Sequence, residues 1–156
     1  MLTTISLNDF YNTKETIDEF YKVRKEIFVD RLKWELPIQD GKEIDQFDHN
    51  NCHYLVASHQ DKIIGGTRLT SSIYPNLTFD FFQNHLTFLN AIERSSDLLE
   101  VSRFGIKQIP QLESTSILKT KTLELLEGIF KFALDNNYKN IIAVTETRIE
   151  RILKFI

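Results

Sequence analysis

This sequence predicts an α/β (α+β) fold, a mixed, twisted sheet between helices, and three observations predict it. Strand-like runs and helical-period segments interleave along the chain in the order β-α-loop-β-β-α-β-α-β-α, which places a sheet between helix layers. Two of the strand-like runs, "HYLVAS" and "KIIGGTRLTS", are separated only by "HQD", the spacing of an antiparallel hairpin. The composition, 42% hydrophobic with 12 Phe, 5 Tyr and 1 Trp, is ample for a packed core within a single domain, 1–156.

The elements follow in order. "TTISL" at Thr3–Leu7 is a short first strand. In "TIDEFYKVRKEIFVDRL", Ile17, Phe20, Tyr21, Ile27 and Phe28 recur on a helical period, and Thr16 and Glu19 have capping-box spacing at its start. "KWELPIQDGKEIDQFDHNN" is turn-rich yet carries Trp34, Leu36, Ile38, Ile44 and Phe47, so it is a loop packed down on the body of the protein. After the hairpin, "TFDFFQNHLTFL" reads as one or two short helices and "LLEVSRFGI" as a strand. "STSILKTKTLELLEGIFKFALDNN" is the longest helix, with Leu118, Leu125, Leu126, Ile129, Phe130 and Ala133 on one face and Asn136-Asn137 as a stop. "NIIAV" is a short buried strand and "RIERILKFI" begins a last helix. The chain stops inside that helix with its last strand partly unpaired, which predicts a truncated form of a longer protein.

Charge and cysteine usage narrow the function. The net charge is −3, with 16 acids and 10 bases in residues 1–100 and 6 acids and 9 bases thereafter. An acidic chain lacks the basic face of a non-specific nucleic-acid binder, although the basic C-terminal third suits an acidic partner. A single cysteine, Cys52, excludes an internal disulfide and reads as a small core residue beside "YLVA". The N-terminus has no signal-peptide pattern, and no run approaches the ~18 apolar residues of a membrane span, so a soluble, cytoplasmic protein is expected.

The chemistry concentrates in "GKEIDQFDHN", where Glu43, Asp45 and Asp48 lie within six residues. Asp45 and Asp48 with His49 and His53 could bind a metal, but the loop matches neither a calcium loop nor a helical zinc pattern, and no metal is expected. The carboxylates could also be solvated. The third possibility is pairing with Arg24, Arg68 and Arg103, three cations on separate elements that would tie the loop down as a lid. On strand alternation, Glu100 and Ser102 share one face while Val101 and Arg103 point the other way.

Four motifs carry a resemblance: "R-x-x-x-F-x-x-R-L-x-W" at Arg24–Trp34, "DGKEIDQFD" at Asp40–Asp48, "GGTRL" at Gly65–Leu69 and "EVSRF" at Glu100–Phe104. Together with "YPNLTFDFF" and "ETRIERILK" they resemble the acyl-homoserine-lactone synthases, the LuxI-type autoinducer synthase family, over essentially the whole chain. The resemblance implies a GNAT-like acyltransferase fold. It also implies transfer of an acyl chain from acyl carrier protein to the amino group of S-adenosylmethionine with lactonisation, making a quorum-sensing signal. S-adenosylmethionine is then a substrate and no cofactor is implied.

By the same resemblance, Arg24, Asp45, Asp48, Arg68 and Arg103 shape the S-adenosylmethionine pocket, with Phe28 and Trp34 as its aromatic lining. Glu100 is the general base and Ser102 a hydroxyl beside it. Phe82, Ala143 and Thr145 belong to the acyl and phosphopantetheine path. Members that favour 3-oxo chains often carry threonine where this chain has Ala143. Ser114, Thr115 and Ser116, opening the long helix, offer hydroxyls and N–H groups to the single phosphodiester. Lys119, Lys121, Arg148, Arg151 and Lys154 are the cations for docking the acidic carrier. Two alternatives stand beside this: an ordinary GNAT N-acyltransferase using acyl-CoA, and a truncated form that binds without turnover.

Overall fold

The computed structural model describes residues 1–6, 10–83, 92–108 and 115–145, with the side chains of 10–12 and 115–117 left aside. β1 (Leu2–Ser6), β4 (Cys52–His59), β5 (Lys62–Ser71), β6 (Leu98–Ile106) and β7 (Asn140–Ile142) form one sheet in the order β1-β4-β5-β6-β7. The first three pairings are antiparallel and β6–β7 is parallel, so the sheet is mixed as expected. α1 (Phe10–Arg24) lies on one face and α2 (Thr115–Asp135) on the other.

Strand alternation divides the core. Cys52, Tyr54 and Val56 of β4 join Ile5 of β1 and Ile17, Phe20, Tyr21, Val23, Ile27 and Phe28 of the first helical segment. Leu55, Leu69, Leu99 and Val101 pack instead against Leu125, Ile129, Phe132 and Ala133 of α2. Each such buried side chain contributes about 1.5–3 kcal/mol from apolar transfer. Two glycines set the spacing on the α1 face. A Cβ at Gly66 would lie 2.6 Å from the Leu55 carbonyl oxygen and 2.7 Å from Phe20, and one at Gly105 would lie 3.0 Å from Ile27 and 3.3 Å from Phe28.

Several sequence expectations change in detail. The first helix begins at Phe10, so Thr16 and Glu19 lie within it and cap nothing; Glu19 instead accepts the Ile63 N–H. Past Arg24 the helix widens into a π-helical segment, Lys25–Arg31. The loop holds a small hairpin, β2 (Ile38–Gln39) with β3 (Lys42–Glu43). It turns at Asp40 and Gly41, both left-handed, as an Asp-Gly pair favours. In the α2 face, Phe130 is 54% exposed and Phe132 takes its place, because 125, 129 and 132 keep helical spacing and 130 does not. β7 is exposed rather than buried, being the edge strand of the described sheet. The first part of the short-helix segment after the hairpin is a π-helical turn, Thr78–Phe82, and the rest of that segment, from 84 on, lies outside the described residues. The last-helix expectation lies outside the described residues.

Candidate functional site

The three arginines and three loop acids meet on the α1 face of the sheet. Arg24, the last residue of α1, donates from Nε to Glu43 at 2.6 Å and from Nη1 and Nη2 to Asp48 at 2.7 and 3.0 Å. Arg68 on β5 reaches Asp45 at 2.6 Å and Asp48 at 3.1 Å. Arg103 on β6 reaches Asp45 at 2.7 Å and Glu43 at 3.2 Å. The result is a closed ring of alternating sign: Arg24, Asp48, Arg68, Asp45, Arg103, Glu43 and back to Arg24. Every cation touches two acids and every acid two cations, so the buried charge sums to zero. That matters because an unbalanced ion in this setting carries a desolvation penalty of several kcal/mol.

The ring also closes the loop locally. Asp45 Oδ1 accepts the Phe47 N–H and Asp48 Oδ2 accepts the Asp45 N–H, folding the segment into tight turns. Phe47 is buried beneath the Arg68 guanidinium, 5.9 Å from it, and Ile44 packs on the core. Beneath Asp48, Tyr54 donates its hydroxyl at 2.6 Å and in turn meets Tyr21 at 3.0 Å. Burial alone would raise the Asp48 carboxyl, but the charges of Arg24 and Arg68 outweigh it and hold it well below the usual carboxylate range. Burial, reinforced by the Asp48 charge, pushes both tyrosine hydroxyls well above their ordinary values.

Arg103 corrects the alternation argument. Thr67 of β5 faces both Arg103 and Phe104, since Gly66 pairs with Gly105 and Arg68 with Ser102. This is a β-bulge, and Arg103 sits in it with φ +55°. The extra residue swings Arg103 onto the face of Ser102 and Arg68, where simple alternation would have sent it to α2. A non-glycine residue held left-handed inside a strand is strained, and here the ring fixes it.

Phe28 and Trp34 come together by a chain reversal. Lys33 is left-handed at φ +60°, and the Trp34 N–H returns to the Phe28 carbonyl at 2.9 Å. The rings stack with centroids 5.1 Å apart. Phe28 is buried with the Arg103 guanidinium 5.8 Å from its ring, whereas Trp34 is 38% exposed. The site thus presents a half-open aromatic face beside a neutral charge ring.

Glu100 is 1% exposed on the same sheet face, beside Thr70, its partner in β5. Its Oε2 accepts the Thr78 N–H at 2.6 Å, while Oε1 has no hydrogen-bond partner. Two residues along, the Ser102 hydroxyl accepts from Arg68 Nε at 3.1 Å, and Arg68 Nη2 is a second buried atom without a partner. Unsatisfied buried polar atoms are uncommon. Two of them on one face, Arg68 Nη2 and Glu100 Oε1, offer one donor and one acceptor to a polar group. β6 and β7 pair only over Leu98–Glu100 and Asn140–Ile142, so they part just beyond Glu100.

The metal alternative does not assemble. Asp45 and Asp48 are spent on arginines, His49 bonds the Pro75 carbonyl oxygen at 2.8 Å, and His53 packs against Phe132 on the opposite face. Among the described residues no group of three or more His, Cys, Asp or Glu is arranged to hold a metal ion, and no helix is long and apolar enough to cross a membrane. Cys52 is buried, its thiol donating to the Phe47 carbonyl at 3.0 Å.

None of the remaining described candidates is a member of the ring. Phe82 is half-buried at the end of the π-helical turn, edge-on to Phe81. Ala143 and Thr145 are exposed just past β7. Lys119 is exposed on α2, whereas Lys121 is paired with Glu124 at 2.7 Å. Thr115 and Ser116 open α2. Ser114, Arg148, Arg151 and Lys154 lie outside the described residues. Sequence reasoning left Glu43 out of the binding set, although it stands beside Asp45 in the same motif. It also missed Tyr54 and the Thr78 clamp.

Comparison with known proteins identifies the family and the fold. The autoinducer synthase family pattern matches residues 7–155. The acyl-homoserine-lactone synthase of Rhizobium radiobacter is 28% identical over 156 residues, 99% of this chain and 73% of that protein. Among solved structures, the CoA-dependent acyl-homoserine lactone synthase BjaI with SAM and isopentyl-CoA superposes with TM-score 0.83 at 24% identity, covering 99% of this chain and 71% of that one. The synthase LasI does so with TM-score 0.83 at 22% identity, covering 99% and 76%. The mixed sheet between helices is the GNAT-like arrangement these structures share.

Proposed function

Because the chain belongs to the autoinducer synthase family, we propose that it is an acyl-homoserine-lactone synthase in which Glu100 prepares the amine of S-adenosylmethionine for acylation. The observation that carries the reading is the half-clamped Glu100 carboxylate, one oxygen fixed by the Thr78 N–H and the other unpartnered, on the face that holds the charge ring.

In this reading S-adenosylmethionine lies between the ring and the Phe28–Trp34 stack. Its sulfonium meets the open Trp34 face, a cation–π contact worth about 0.5–2 kcal/mol. The Arg68 Nη2 donor, left unused by the ring, is available to the substrate carboxylate. A free α-amino group has a pKa near ~8, so a carboxylate acting directly or through one water suffices as base. The nitrogen lone pair attacks the thioester carbonyl and the proton passes to Glu100. The tetrahedral oxyanion meets N–H groups where β6 and β7 part, and the thiol leaves. The methionine carboxylate then displaces methylthioadenosine at the γ-carbon and closes the lactone.

In this reading the acyl donor enters where β6 and β7 part, with Ala143, Thr145 and Phe82 along its path. Acyl carrier protein is the donor we favour, docking against Lys119 and Lys121 of α2 and Arg148, Arg151 and Lys154, with its phosphodiester at Ser114, Thr115 and Ser116. Acyl-CoA is the second reading, because the similar BjaI is CoA-dependent. The test incubates the purified protein with S-adenosylmethionine and either acyl carrier protein or CoA thioesters of matched chains, followed by mass spectrometry. N-acyl-homoserine lactone from one donor identifies it, and none from either removes the reading.

Ala143 brings no hydroxyl to the acyl path. A carbonyl desolvated there without a donor costs about 1–3 kcal/mol, so unsubstituted chains are expected to be preferred over 3-oxo chains by about one to two powers of ten. Ala143→Thr is expected to narrow that preference in a competition between donors of equal length. A 3-oxo preference already present in the wild type and unmoved by the substitution would show that another group sets the choice.

A further inference from the structure

We propose that Asn76 is a positioning residue for Glu100: its side chain builds the turn that delivers the Thr78 N–H to one carboxylate oxygen, leaving the other oxygen for the substrate amine. The chemical consequence rests on the synthase reading above; the geometry does not.

Asn76 is 1% exposed, and its side chain bonds only to the backbone of its own loop. Oδ1 accepts the Phe79 N–H at 3.0 Å, and Nδ2 donates to the Ser72 and Tyr74 carbonyls at 3.2 and 2.8 Å. Its own N–H donates to Asp80 Oδ2 at 2.8 Å. Asp80 is held in turn by Arg94 at 2.6 Å. Arg94 also donates to the Ser72 and Tyr74 carbonyls, both at 2.9 Å, and lies over the Phe79 ring at 5.1 Å. Ser72 fastens this loop to the start of β6 through its N–H to the Leu98 carbonyl and through Ser95.

Both amide donors and the amide oxygen are thus used to shape residues 72–80. The Phe79 N–H is satisfied within the loop, whereas the Thr78 N–H points out of it, 2.6 Å from Glu100 Oε2. An amide is the chemical requirement at position 76. An aspartate would set its charge against two carbonyl oxygens and Asp80, and an alanine would take the acceptor from the Phe79 N–H and leave the two carbonyls to Arg94 alone. A carboxylate with one oxygen pinned cannot rotate, so the basic lone pairs of the other keep one direction. Misplacement of a reacting group by about 1 Å costs on the order of 10²-fold in rate.

The test combines NMR and kinetics on the full chain. The Thr78 amide proton, in a short bond to a carboxylate, is expected far downfield in the wild type and shifted upfield in Asn76→Ala. In Arg94→Gln, a more exposed replacement, it moves the same way by less. With S-adenosylmethionine and acyl donor, Asn76→Ala is expected to lower kcat about 10²-fold with KM for S-adenosylmethionine nearly unchanged. In a Glu100→Gln background the same change should have little further effect, whereas a merely structural role would lower the rate equally in both. A Thr78 resonance unmoved in both variants overturns the proposal whether or not lactone is made. A moved resonance in a protein that makes no lactone supports the positioning and removes the synthase reading instead.

Discussion

Glu100→Gln is expected to slow lactone formation by about 10²–10⁴-fold while S-adenosylmethionine binding stays nearly intact. The amide is isosteric, and its oxygen can still accept the Thr78 N–H that now fixes Oε2. The other terminus, Oε1 in the native residue, then becomes an NH₂ group, a donor where the incoming amine needs an acceptor. In the proposed reading substrate binding rests on the ring and the aromatic stack, neither of which this change touches. The decisive measurement pairs single-turnover rates with calorimetric binding of S-adenosylmethionine. Near-normal turnover at neutral pH would remove Glu100 as the base.

The second large effect is on stability. Asp48→Asn removes the charge that Arg24 and Arg68 share and leaves two buried guanidiniums under-compensated. Breaking a buried pair in this way typically destabilises by about 3–5 kcal/mol. The exposed Lys25–Asp30 pair supplies the contrast, and Asp30→Asn should change stability by under about 1 kcal/mol. Acid should act through the same residue. The folded Asp48 carboxyl titrates below its ordinary value of 3.8, so in that window the unfolded chain binds more protons than the folded one. Its stabilisation is therefore full above that ordinary value and lost as pH falls toward the lowered folded one. Urea unfolding at neutral and acid pH measures both effects. A chelator should leave the midpoint unmoved; a midpoint that drops with chelator and recovers with a divalent ion would make these carboxylates metal ligands.

Legibility in the sequence followed the range of the interaction. The sheet was readable because "HYLVAS" and "KIIGGTRLTS" are short strand-like runs of nearly continuous burial and Gln60 and Asp61 form a two-residue reversal between them. The convergence of arginines and acids was readable as a matching of charges, since three cations and three anions in a small chain need one another if buried. At the charged site, what failed was geometry at one residue. Alternation assigned Arg103 to the wrong face because a bulge has no strict sequence mark when a non-glycine residue takes the left-handed position. The Asp40-Gly41 turn carried a plain local signal that went unused. The role of Asn76 was not legible, because an amide that bonds only to backbone is recognised only after the loop has folded.

The closed ring has a consequence for how such a sequence can drift. Losing Asp48 alone leaves five charges and a surplus cation, and losing Arg103 alone leaves a surplus anion. These two sit diametrically across the ring, and without both of them Arg24–Glu43 and Arg68–Asp45 remain as two neutral pairs. The double change therefore conserves charge where either single step does not, so its cost in stability should fall short of the sum of the two single losses.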